Sequence, residues 1–287
     1  MQFPILANVP ILINDRSSLF TRDHFVRRQN TTFDLGRGRF TERIDRLLPK
    51  LGKNVRAKQN YPILRDLLLK RGPKSRVLVI GGSILGAGME TLLAAPGLEL
   101  VETDVSFGPR TRFICMRMTC PFQNEVFDGV VIQAVLQYVV EPSQCVREIE
   151  RVLKADGLVY AETAFMQQVV HGCYDFTRFT HLGFRRLFRR FEEIRSGPAC
   201  GPGMALAWAG QFFLLSFATG RRTRRLAHVL GRLGLFWLKC FDSALIDKPG
   251  TYDAASGFYF LGKKSEQVLS DRELIGLYRG AQTISGS

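Results

Sequence analysis

At 287 residues the chain is long enough to enclose a core of normal size, and 46% hydrophobic content excludes a disordered protein. No run of 18 apolar residues occurs, so no membrane span is expected, and the start Met1-Gln-Phe-Pro-Ile-Leu6 lacks the order of a secretion signal. The formal charge of +14 lies on the flanks: residues 1–75 hold 16 Lys/Arg against 6 Asp/Glu, 76–200 hold 13 against 14, and 201–287 hold 11 against 6. Such a field suits nucleic acid, an anionic membrane surface or an anionic substrate, and equally an ordinary solvated surface.

Six scattered cysteines without a Cys-x-x-Cys pair read as buried, reduced thiols of a cytoplasmic protein, so no metal site is expected. No internal repeat or low-complexity tract stands out.

In chain order, Phe3–Ile13 reads as two short strands about an Asn8-Val9-Pro10 turn. Residues 37–74 then predict two amphipathic helices with basic outer faces, through Ile44, Leu47, Leu48 and Leu51 and through Ile63, Leu64, Leu67 and Leu68. They serve either as a lid or as plain packing on a sheet. Val77–Ile80 is a short β-branched run that breaks into Gly81-Gly-Ser-Ile-Leu-Gly-Ala-Gly88, the pattern of a buried parallel strand entering a tight turn and a helix. Glycines there let backbone approach a ligand, and the following helix start offers free N–H groups. Asp104 closes a second strand from Leu98, at the distance from the glycines where an acid takes ribose hydroxyls.

Phe127–Ile132 is a further apolar strand. Val146, Ile149, Val152 and Leu153 follow at helical spacing, with a helix stop predicted at Lys154-Ala-Asp-Gly157 and a strand at Gly157–Thr163. The chain at this point resembles the class I S-adenosylmethionine-dependent methyltransferases of the type 11 group. The resemblance rests on Val77–Gly88, Asp104, Pro121-Phe122 with Phe127-Asp128, and Arg151-Val-Leu-Lys-Ala-Asp-Gly157, and it covers about Tyr61 to Gly197. It implies a doubly wound, mostly parallel seven-stranded α/β sheet of Rossmann-like methyltransferase type, with S-adenosylmethionine as cofactor. Gly81, Gly82, Ser83, Gly86 and Gly88 would approach that cofactor, Asp104 would hold its ribose, and Gln133, Ala134 and Val135 would line the site. Three positions depart from the family pattern. Val79 stands for an acid in the first strand, Ser83 for a glycine in the loop, and Met116 for the acid that holds the adenine amino group.

The block from Glu162 to Leu187 leaves the carboxyl end of a strand, where open α/β sheets bind ligands. Methyl transfer is mostly positioning, and an oxygen acceptor also needs a base. His171 is the candidate base, Tyr174 and Asp175 the orienting groups, and Arg178 a clamp for a carboxylate or phosphate. The plain alternative pairs Asp175 with Arg178 and caps a helix with Thr180. Phe191–Arg195 reads as the sixth strand and Gly257–Lys263 as the seventh. Between them lies an insert with two apolar helical runs, Met204–Thr219 and Leu226–Leu245, around Arg221-Arg-Thr-Arg-Arg225. It suits a substrate wall, a membrane surface or a dimer face. Ser270 with Glu273 predicts a capping box.

The expected division is an N-terminal extension at 1–60, a methyltransferase core at 61–200, an apolar helical insert at 201–250, and the final strand with a C-terminal helix at 251–287. The expected reaction is methyl transfer, at oxygen, to a small-molecule or lipid- or glycan-linked acceptor, in the cytoplasm or peripherally at a membrane. The alternatives are a non-catalytic scaffold or regulator of the same fold and, less favoured, an RNA methyltransferase. An amino methyltransferase acting on bases is disfavoured, since no Asn/Asp-Pro-Pro-aromatic tetrad follows the fourth strand of the family pattern, Phe127–Ile132.

Overall fold

The computed structural model describes residues 3–13, 19–27, 47–115 and 122–282. Within them the strands are β1 (Ile5–Leu6), β2 (Val9–Leu12), β3 (Ser75–Ile80), β4 (Leu98–Asp104), β5 (Phe113–Cys115), β6 (Phe127–Gln133), β7 (Leu153–Ala164), β8 (Phe191–Cys200) and β9 (Gly257–Lys264). They form one sheet in the order β1-β2-β5-β4-β3-β6-β7-β9-β8. Strands β5, β4, β3, β6 and β7 run parallel to one another, and β9 runs antiparallel between β7 and β8. This is the expected Rossmann-like methyltransferase sheet with nine strands instead of seven. The two extra strands come from the N-terminus: β2 pairs parallel with β5 through Ile11 and Ile114. The short N-terminal strands are therefore part of the sheet edge. Their turn is Ala7-Asn8, both at positive φ (50° and 62°), one step earlier than the Asn8-Val9-Pro10 reading. Asn tolerates that region, and Val9 and Pro10 open the pairing strand.

The helices are α1 (Arg22–Val26), α2 (Ala57–Leu69), α3 (Glu90–Leu93), α4 (Pro142–Val152), α5 (His181–Leu187), α6 (Pro202–Ser216), α7 (Arg221–Leu235), α8 (Asp242–Leu245), α9 (Pro249–Ala254) and α10 (Asp271–Ile275). Alternate residues of each central strand feed opposite faces, as period two requires. Leu78, Ile80, Val130 and Ile132 pack with Val146 and Ile149 of α4 and Phe184 of α5. Val77, Val79, Val131 and Tyr160 pack with Tyr61, Leu64 and Leu68 of α2. The second predicted basic helix is thus α2, packed on the sheet. The first lies mostly outside the described residues.

Strand β7 starts at Leu153, where the sequence had suggested helix through Lys154. Asp156, at φ 56°, turns the backbone within Leu153–Gly157 and shifts the register between Phe127 and Gly129. The helix after the glycine loop is a single turn, Glu90–Leu93, eight positions beyond Gly82. The apolar insert is a helical hairpin, α6 and α7, extended by a 3-10 segment Phe236–Cys240 and by α8 and α9 before β9. Buried Asp242 caps α6 from afar, accepting the Gly203 and Met204 N–H groups at 2.7 and 3.0 Å. Helix α10 carries the predicted capping box of Ser270 and Glu273.

Candidate functional site

Strand β3 lies between β4 and β6, so successive chain crossings leave it in opposite directions and open a crevice at its carboxyl end. A cavity of about 330 Å³ fills that crevice. Its size falls within the ~300–1,000 Å³ range of small-molecule sites. Its floor is the loop Gly81–Ala87, and its walls include Glu102, Arg110, Gln133–Val135, Tyr138, Glu162, Asn54 and His171.

The loop folds back toward β4 because Gly81 and Gly82 both donate their N–H groups to the Thr103 carbonyl, at 2.8 and 3.1 Å. Gly81 has φ 85°, and a Cβ there would overlap Val135. At Gly82 a Cβ would lie 3.0 Å from Glu102 Cβ, and at Gly86 it would overlap Gln133 Oε1. These glycines let the loop lie against β4 and β6 while leaving the cavity open. Gly88, also at φ 90°, does not line the cavity; a Cβ there would overlap the buried Tyr61 ring.

Two buried carboxylates face the space. Glu102 on β4 accepts from Arg110 Nε at 2.9 Å, and Arg110 also donates to the Gly82 carbonyl at 3.0 Å. The other Glu102 oxygen, Oε2, is buried without a hydrogen-bond partner. Burial pushes its carboxyl above the usual range, with Arg110 opposing. Glu162 on β7 accepts from Asn54 Nδ2 at 2.9 and 3.0 Å, from Gln133 Nε2 at 2.9 Å and from Tyr160 Oη at 2.5 Å. Burial pushes this carboxyl up as well, and the Tyr160, Gln133 and Asn54 bonds pull it partly back. Gln133 also donates to the Ala87 carbonyl at 3.1 Å, while its Oε1 is buried without a partner.

Several sequence-predicted residues meet here: Gly81, Gly82, Ser83, Gly86, Gln133, Ala134, Val135 and His171. Asp104 does not. Its carboxylate is spent on backbone, accepting Ser83 N–H at 2.9 Å and Val105 N–H at 2.6 Å. It fixes the loop, and Glu102, two residues earlier on the same face of β4, is the acid that lines the cavity. Val79 and Ser83 line it too, whereas Met116 falls outside the described residues.

The proposed acceptor clamp is corrected by its geometry. Arg178 donates Nε to the Gln167 carbonyl, Nη1 to Thr177 O and Asp175 Oδ1, and Nη2 to Gln168 O and Asp175 Oδ2. All five guanidinium N–H donors are used inside the loop, so none is left for an acceptor. The Asp175 side chain is buried beneath it and also accepts from Val170 N–H at 3.0 Å. Tyr174 packs against Phe20 at 5.4 Å, beside the N-terminal strands. These three residues shape the loop that presents His171, which meets Tyr138 edge-on at 4.6 Å on the cavity wall. The block's other histidine, His181, is bonded to Ser196 at 3.0 Å in the core, where burial holds its pKa down to about 4.

Sequence reasoning missed Glu102, Arg110, Glu162 and Asn54. Glu162 had a usable signal: it is a carboxylate in an otherwise apolar parallel strand, at that strand's carboxyl end.

S-adenosylmethionine offers a ribose diol and a cationic amino-acid and sulfonium portion. The chemistry of this wall fits it: an acceptor-only Glu102 Oε2 suits hydroxyl donors, and the Glu162 carboxylate with Gln133 Oε1 suits cationic N–H groups. Residues 86–161 match the family model described as a methyltransferase domain. No curated protein matches the chain significantly. Among solved structures, the chain is similar to the Burkholderia thailandensis 1,6-didemethyltoxoflavin-N1-methyltransferase at 14% identity, covering 73% of this chain and 79% of that one with a TM-score of 0.44. It is similar to coclaurine N-methyltransferase at 11% identity, with 71% and 70% covered and a TM-score of 0.45. A cyclase, SpnF, aligns at 17% identity, with 71% and 80% covered and a TM-score of 0.41. These likenesses are distant, and none of them speaks to the acceptor.

Proposed function

We propose that this chain is a class I S-adenosylmethionine-dependent methyltransferase, which transfers a methyl group to an oxygen of a small, largely apolar acceptor entering past His171. The observation that carries it is the partnerless Glu102 oxygen and the Glu162–Gln133 pair facing one cavity above the glycine loop. When bound, the cofactor supplies an electrophilic methyl on a sulfonium.

The chain's own residues then divide the work. Glu102 accepts the ribose hydroxyls, Arg110 holds Glu102 and the loop together, and Glu162 with Asn54 and Gln133 sets a negative wall toward the cationic end. A cation beside Glu162 favours its ionised form and offsets the effect of burial. His171, held edge-on by Tyr138, takes the acceptor proton. The rim supports an apolar acceptor, since Ile84 and Leu85, which line the cavity, expose 62% and 47% of their surface.

The test is a calorimetric titration with S-adenosylmethionine and its demethylated product, using wild type and Glu102→Gln. Micromolar binding that the substitution weakens at least tenfold, about 1.4 kcal/mol, is the expected outcome. A well-folded wild type that binds neither ligand would overturn the reading. His171→Asn is expected to leave that affinity unchanged while lowering methyl transfer to a hydroxyl acceptor by about a hundredfold or more.

A further inference from the structure

The hairpin between β8 and β9 is built inside out. Where its helices touch, the contact is polar and small. Gln211 is buried and bonded to His228, a Cβ at Gly231 would lie 3.2 Å from the Gln211 backbone, and Gly210 receives the Leu235 side chain. Its outer surface is apolar. On α6, Leu206, Phe213 and Phe217 are 58–72% exposed at spacing i, i+7, i+11, which is one helix face. Leu226, Leu230 and Leu233 of α7, continuing to Trp237, repeat that face at 49–60% exposure. Phe213 stacks edge-on with Phe217 at 5.1 Å, so the aromatic surface is contiguous along α6. At the turn between the helices, Arg221, Arg222, Arg224 and Arg225 are all exposed.

We propose that this hairpin docks on an anionic lipid bilayer, its outer face lying in the interface and its tip arginines on the lipid phosphates. The charge selects the occupant. Residues 202–245 hold six Lys/Arg against one acid, Asp242. A second copy meeting the same patch across a two-fold axis would place like charges together, whereas anionic headgroups complement them. Each helix is 15 residues, about 22 Å long. Among the described residues no helix is long and apolar enough to cross a membrane, so the hairpin lies on the bilayer and does not span it.

The docked face is also tied to the cavity. Arg232 donates to the Pro49 carbonyl at 3.0 Å, Lys53 Nζ to Ser243 Oγ at 2.7 Å, and the next residue, Asn54, reaches Glu162. Segment 49–54 therefore links the hairpin to the cavity wall. Docking is independent of the cofactor reading and is tested without it.

The chain's two tryptophans, Trp208 and Trp237, both lie in this insert, so fluorescence excited selectively at tryptophan reports on it alone. With Trp208→Phe leaving Trp237 as the single probe, vesicles of phosphatidylcholine with phosphatidylglycerol should shift its emission to the blue and shield it from acrylamide. Co-sedimentation with those vesicles should exceed that with phosphatidylcholine alone at least tenfold and fall with salt. Phe213→Ser with Phe217→Ser, and separately the four tip arginines changed to Gln, should each lower partitioning about tenfold or more with unchanged circular dichroism. Vesicle-independent emission overturns the proposal. So does a Trp237 already shielded from acrylamide in the free monomer, or a dimer in sedimentation that the Phe pair abolishes.

Discussion

The close contact between Gly86 and Gln133 permits a quantitative test of how the cavity wall is held. A methyl at Gly86 would overlap Gln133 Oε1, the far end of a flexible side chain and an atom with no partner of its own. The backbone at Gly86 is not in the left-handed region, so alanine itself fits there. Gln133 must then swing away and release the Ala87 carbonyl and the Glu162 carboxylate. Net values of ~0.5–1.5 kcal/mol for the neutral bond and ~1.5–3 for the charged one set the loss near 2–4 kcal/mol. Gly→Ala returns ~0.4–1 kcal/mol through the unfolded chain, which leaves Gly86→Ala destabilised by about 1–3 kcal/mol. Gln133→Ala alone forfeits the same two bonds. The double variant should then be no less stable than Gln133→Ala, because the methyl enters space already vacated. Urea denaturation of all four proteins gives the coupling energy, expected at about 2 kcal/mol or more. Destabilisation that simply adds across the two sites would refute the reasoning.

At Gly88 the obstacle is the Tyr61 ring, buried and edge-on to Tyr160 at 4.9 Å, and φ is 90°. Gly88→Ala should therefore cost at least about 3 kcal/mol with no rescue from a single neighbour, read by the same denaturation series. Glu162 makes a pH prediction. Its folded pKa is raised, so the folded state retains its proton over a window in which the unfolded state has lost it. That contribution is complete below the unfolded value near 4.5 and is lost as pH rises through the folded value. Stability curves between pH 4 and 8 should show Glu162→Gln gaining on wild type as pH rises, and saturating S-adenosylmethionine should reduce the gap. Arg178→Lys keeps the charge but cannot make five planar bonds. It should expose the 165–178 loop to limited proteolysis and lower methyl transfer, while cofactor affinity changes less than threefold.

The central sheet was legible because buried parallel strands are short apolar runs bounded by breakers, and four such runs occur in order between Val77 and Thr163. The N-terminal hairpin was legible as two strands but not as sheet edge. Its partner β5 is three residues long, and the pairing of Ile11 with Ile114 spans a hundred positions that no local pattern encodes. The end of α4 failed for a non-local reason. Lys154-Ala-Asp-Gly157 has the composition of a helix stop, yet the tertiary pairing of Leu153 with Phe127 recruits those residues into strand.

In the site, the same limit separates what spacing can and cannot tell. Glycines were found because their signal is steric and local: Gly81 and Gly86 stand where Val135 and Gln133 leave no room for a Cβ. Acids were harder to place because their signal is which way a side chain's remaining lone pairs point. Asp104 and Glu102 lie on one face of one strand, and only the loop geometry spends the first on Ser83 N–H and leaves the second an oxygen for the cavity. Arg178 shows the converse. A guanidinium three residues from an aspartate on a polar aromatic loop has the composition of an anion clamp. The Gln167, Gln168 and Thr177 carbonyls take up its donors, and the charge is turned inward to hold His171 at the cavity wall. Residue type marks where chemistry is affordable in an open α/β sheet; the hydrogen bonds already committed determine which of those residues can still perform it.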